Sequence, residues 1–170
     1  MKKALLLLSF LVLLSPKIVP AQQTPALSPE KNVWVGLTIG PALSGYEPGL
    51  TGRATVQYAS SATIYSLEYM SYSNFLFNPL DKSLELSAFG LMYGRIKRYD
   101  FFKLTFSAGL SLVKLSEGSK ESYTFGLPLS ARFILTPIRL VAVGVKLYAR
   151  YIPGNSVAGV GFGFYFGKVR

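Results

Sequence analysis

Residues 159–170 read GVGFGFYFGKVR. Val160, Phe162, Phe164 and Phe166 leave the backbone on one side, and Gly159, Gly161, Gly163 and Tyr165 on the other. Alternation with period two marks a β-strand, because successive side chains point to opposite faces. A face of rings backed by a face of glycines fits poorly in a sheet surrounded by water. It suits a strand that shows its rings to lipid and leaves space in a narrow barrel interior.

The same alternation recurs upstream. In NVWVGLTIG, Val33, Val35, Leu37 and Ile39 oppose Trp34, Gly36, Thr38 and Gly40. Next, Leu50, Ala54, Val56 and Tyr58 oppose Thr51, Arg53, Thr55 and Gln57, and Tyr65, Leu67 and Tyr69 oppose Ser66, Glu68 and Met70. A fourth strand begins with Leu84, Leu86 and Ala88 against Glu85 and Ser87. Its phase slips near Phe89-Gly90, where a β-bulge is expected. The fifth strand sets Phe102, Leu104, Phe106, Ala108, Leu110 and Leu112 against Lys103, Thr105, Ser107, Gly109 and Ser111. The sixth, Tyr123 to Phe133, carries Pro128, which removes a ladder donor. The seventh sets Val141, Val143, Val145 and Leu147 against Ala142, Gly144, Lys146 and Tyr148. Turn residues separate these runs: Pro41 to Gly49, Ala59 to Ala62, Asn74 to Asp81, the basic turn Arg95-Lys97-Arg98, SEGSKES at 116–122, Thr136-Pro137 and Pro153 to Asn155. Eight strands of about ten residues are long enough to cross a bilayer at a tilt near 45°. The expected fold is all-β, an eight-stranded antiparallel up-and-down transmembrane β-barrel with both ends periplasmic.

Composition points the same way. The chain is 50% hydrophobic and only 15% charged, against about 25% charged in soluble proteins. FILTPIRLVAVGV is its best helical candidate after the N-terminus, and Pro137 and Arg139 break it. Inside lipid only helices and closed barrels satisfy their own backbone. At the N-terminus, Lys2 and Lys3 precede an apolar run from Ala4 to Leu14 and small residues near Ala21. That pattern is a secretory signal peptide over 1–21, too short and too interrupted by Pro16, Lys17 and Pro20 to span a membrane. A polar leader over 22–31 follows, then one barrel domain over 32–170, the chain running only four residues past Phe166.

Which face is outside follows from charge. The second face is mostly Gly, Ser, Thr and Ala, with seven mid-strand charges: Arg53, Glu68, Glu85, Lys103, Arg132, Lys146 and Arg150. A face in water wants roughly 25–35% charged residues. A narrow lumen wants small residues and a few paired charges. The seven are therefore expected inside, with Glu68 and Glu85 as the salt-bridge partners of five cations. Tyr58, Tyr72, Tyr93, Phe102, Tyr123, Phe133, Tyr151 and Phe166 fall near strand ends, as in an interfacial girdle.

On this pattern the chain resembles the small eight-stranded Gram-negative outer-membrane barrels of the OmpA transmembrane-domain and OmpX type. The resemblance implies an outer-membrane location. It also implies a terminal strand signal read by the barrel-assembly machinery, matched here by Gly161, Phe164 and Phe166. Enzymes among such barrels typically rely on a histidine base, and this chain has no histidine and no cysteine. The usual nucleophile–base pairs cannot be built, thiolate metal sites are excluded, and no catalytic residue, cofactor or metal is expected. The glycine-rich terminal run is no phosphate loop, because no strand-to-helix turn accompanies it.

Two surface features remain. Phe75, Leu76 and Phe77, with Pro79, give the second loop apolar groups that pack on the barrel rim or meet lipopolysaccharide or a partner protein. Arg95, Lys97 and Arg98, with Arg139, Lys168 and Arg170, fall on the periplasmic side and suit anionic headgroups. The pI of about 9.8 does not imply nucleic acid in an exported, lipid-facing protein. The expected partners are outer-membrane lipid, the assembly machinery and an unidentified surface or periplasmic protein. The expected role is structural or interactive, in envelope integrity or surface contact. A small porin-like diffusion channel and a lipid-acting barrel enzyme are the alternatives.

Overall fold

The computed structural model describes residues 31–45, 47–74, 84–117, 120–137 and 140–168. The signal segment, most of the leader and the Phe75-Leu76-Phe77 tip lie outside them, as do Arg139 and Arg170. Eight strands follow one another: β1 (Asn32–Ser44), β2 (Glu47–Ser60), β3 (Thr63–Ser73), β4 (Leu84–Arg98), β5 (Phe102–Glu117), β6 (Lys120–Leu135), β7 (Val141–Tyr151) and β8 (Val157–Gly167). Each pairs antiparallel with its neighbours, and β8 returns to β1 to close the barrel.

The register fixes the geometry. From Val33 the hydrogen-bonded path runs through Tyr58, Tyr65, Tyr93, Ala108, Leu129, Ala149 and Ala158, and it re-enters β1 at Leu43, ten residues on. For eight strands this stagger sets a tilt of about 40°. The interior is then only wide enough for side chains to fill.

The two faces separate cleanly. Leu37, Leu67, Leu91, Leu110, Leu147 and Phe162 are exposed on the outside. Tyr58, Tyr65 and Tyr93 make a ring contact from strand to strand, with centroids 6.3 and 5.5 Å apart. At the β4–β5 turn Tyr99 stacks on Phe102 at 4.3 Å, and Phe102 leans on Phe133 at 5.2 Å. Rings at that level suit the membrane–water boundary. Tyr72 is no part of this girdle. It is buried in the lumen, and its hydroxyl donates to the Glu47 carbonyl at 3.0 Å.

Inside, two apolar clusters cap the barrel. Trp34, Ala59, Ile64, Ile96, Ile134, Ala142 and Tyr165 fill the end where β1 begins and β8 finishes. Ala42, Met70, Tyr72, Leu86, Ala88, Val113 and Tyr148 are among those filling the opposite end. The charges gathered round Glu68 lie between, and Lys103 stands at the level of Ile134 in the first cluster.

Three local expectations change. β4 runs in unbroken register with both neighbours, and it has no bulge. Leu86 and Ala88 point inward to the upper cluster, so the polarity pattern inverts where the strand leaves the lipid. SEGSKES is mostly strand: β5 reaches Glu117 and β6 starts at Lys120. Pro128 is accommodated within β6, whose ladder with β5 lapses between Ala108–Leu129 and Ser111–Gly126 without changing register.

Candidate functional site

The charged layer of the lumen is built around one carboxylate. Glu68 lies on the inward face of β3 and is 1% exposed. Arg53 sits one inward step away on β2, where Thr55 is the register partner of Glu68 and Met70 that of Arg53. Lys146, Tyr148 and Arg150 are alternate residues of β7, so all three project inward. In an eight-stranded ring β7 stands opposite β3, and its side chains cross the lumen.

They converge on Glu68. Its Oε1 accepts from Arg53 Nη1 and from Arg150 Nη2, each at 3.0 Å. Its Oε2 accepts from Lys146 Nζ, and Arg132 Nη2 lies 3.8 Å away. The Arg53 guanidinium stacks 3.3 Å above the Tyr148 ring, and its Nη2 meets Met70 Sδ at 2.8 Å. Tyr148 Oη in turn bonds Thr51 Oγ1 at 2.5 Å. Such a layer ties opposite walls together through charge-assisted hydrogen bonds.

Six of the seven charges expected in the lumen are there: Arg53, Glu68, Lys103, Arg132, Lys146 and Arg150 are buried. Glu85 is not. It lies exposed on the outer face of β4, one residue into the strand, beside Ser73 of β3. The inward slots on either side of it belong to the upper apolar plug, so Glu85 cannot be a lumen counter-charge. Lys103 sits lower than the Glu68 cluster, with Nζ 5.4 Å from the Trp34 ring.

Phe164 and Phe166 face outward on β8, while Gly161 faces inward against Thr38. Arg95 and Lys97 point outward at the C-terminal end of β4, Lys97 Nζ lying 5.4 Å from the Tyr99 ring, and Arg98 is half-buried. The loop that carries Phe75 to Phe77 has a pinned base. Asn74 Nδ2 donates to Glu47 Oε2 at 2.6 Å, and Asn74 Oδ1 accepts from the Leu84 amide at 2.8 Å. In the sequence Asn74 reads only as a turn residue. Thr51 and Tyr148 also carry no local signal of their roles, because these partners lie 97 residues apart.

Among the described residues no group of three or more His, Cys, Asp or Glu could hold a metal. No protein-family profile and no curated protein sequence matches the chain. Solved structures do. Neisserial surface protein A superposes with a TM-score of 0.65 at 16% identity, over 80% of this chain and 96% of that one. Ail, the attachment invasion locus protein of Yersinia pestis, gives 0.55 at 10%, over 83% and 99%. The outer membrane enzyme PagL gives 0.50 at 13%, over 78% and 98%. With its closed register, its apolar exterior and these neighbours, the chain has the fold of the small eight-stranded outer-membrane barrels.

Proposed function

We propose that this protein is a non-enzymatic structural or interaction protein of the outer membrane, contributing to envelope integrity or surface contact. One observation carries the reading. The lumen is closed twice by apolar clusters and once by charge, which leaves the rims and the lipid face as working surfaces. The lipid-facing wall suits a purely membrane-embedded scaffold. The basic, aromatic turn of Arg95, Lys97, Tyr99 and Phe102 suits anchoring to anionic headgroups on the periplasmic side. The loop based on Asn74 supplies the opposite contact surface, and Phe75, Leu76 and Phe77 are its proposed contact residues. Phe164 and Phe166, with Gly161, are proposed as the signal read by the assembly machinery.

The likeness to PagL keeps a lipid-acting enzyme as the second reading. The missing histidine and cysteine weigh against it, because the usual nucleophile–base pairs need one of them. In-cell photocrosslinking tests the proposal, with one probe placed at Leu76 and a second at Lys97. Reproducible capture of one protein from Leu76 is the expected result and puts the contact on the loop side. Capture from Lys97 alone moves the role to the periplasm. Turnover of a phospholipid or lipopolysaccharide by pure protein overturns the reading in favour of the enzyme.

A further inference from the structure

We infer that the lumen holds a small monovalent inorganic anion of the chloride class, bound between Arg132, Lys146 and the Thr105 hydroxyl. The argument begins with the charge inventory. Among the described residues, five cations are buried with one carboxylate. Four of the five share Glu68, whose two oxygens are already taken by Arg53, Arg150 and Lys146. Arg132 is left at 3.8 Å, beyond hydrogen-bond reach.

Register makes the surplus local. Arg132 on β6 is the direct cross-strand partner of Lys146 on β7, and both point inward. Like charges placed directly opposite repel. These two are 2% and 0% exposed, so bulk water does not screen them. On the other side of Arg132 its register partner is Thr105 on β5, which is 1% exposed. Neither Arg132 Nη1 nor Thr105 Oγ1 has a hydrogen-bond partner. Three adjacent strands thus place a guanidinium, an ammonium and a hydroxyl side by side on the inner wall. A buried charge is stable only when paired. Water could accept these hydrogen bonds but would leave the charge. A small anion accepts from all three donors and also offsets the repulsion between Arg132 and Lys146.

The inference is separate from the proposed surface role, because it concerns the sealed interior. The full chain is refolded in detergent from sodium chloride or from sodium gluconate at equal ionic strength, gluconate being too large for the lumen. The midpoint of its heat-modifiable gel shift is then measured. The chloride form is expected to unfold at least about 3 °C higher. Arg132→Gln removes that difference. Thr105→Val, which keeps every charge, reduces it and serves where the arginine variant does not refold. Crystals grown in sodium bromide are expected to show an anomalous peak beside Arg132 and Lys146. Equal midpoints in the two salts, a chloride effect that survives both substitutions, or no bromide peak in the lumen would each overturn the inference.

Discussion

Glu68 is one carboxylate serving four cations, and its replacement separates the two glutamates that look alike in sequence. Glu68→Gln keeps the shape but removes the negative charge that Arg53, Lys146 and Arg150 bond and that Arg132 approaches. Breaking a buried ion pair from one side costs about 3–5 kcal/mol. Urea unfolding of the refolded barrel is expected to show a loss of that size. Glu85→Gln touches an exposed outer-face residue, and its effect is expected within about 0.5 kcal/mol. Equal losses for the two variants would place Glu85 in the lumen after all. The exposed Lys114–Glu121 pair at 2.6 Å belongs with Glu85 in this comparison. Surface pairs of that kind contribute little, because water screens them.

At the scale of the strand, β4 and β5 show how tightly the wall is drawn. Gly109 is the register partner of Met92, and a Cβ there would collide with the Leu91 carbonyl oxygen. The obstacle is backbone, so no rotamer relieves it. Gly109→Ala is expected to destabilise the barrel by about 1–3 kcal/mol through forced separation of the two strands, measured by the same unfolding titration. The outer side of this hairpin tests orientation. Leu91 is 65% exposed and sits between Leu67 and Leu110 in the middle of the apolar band. Leu91→Arg is expected to cost about 2–4 kcal/mol in a bilayer. Ser107→Arg, on the inner face, would crowd the Ser107–Ser130 contact rather than meet lipid. Folding yields into lipid vesicles that rank these two substitutions by lipid exposure would support the assigned faces. A Leu91→Arg variant that folds as well as the parent would turn the barrel inside out.

For the whole molecule, the closed lumen predicts an absence of steady conductance in planar bilayers, since two apolar plugs and a charged layer lie in series. A stable porin-like current would promote the channel reading. The architecture behind that prediction was legible in the chain itself. Eight alternating runs, a face without charge from Val33 to Ile39 and again from Val160 to Phe166, and the absence of another spanning segment dictate strands, faces and closure. They do so because alternation is a local property and lipid punishes every exception to it. The pattern misled at Glu85 and Leu86, where the strand continues beyond the bilayer. There the outer face meets water and the inner face meets an apolar plug, so polarity alternates with the opposite sign. Tertiary structure alone decided which charges meet. Glu68 and Arg150 are 82 residues apart, and their contact depends on the ten-residue stagger that sets β7 against β3 across the lumen. Sequence alternation specifies the face on which a side chain stands. Only the closed register specifies the level at which it stands and what it faces across the lumen.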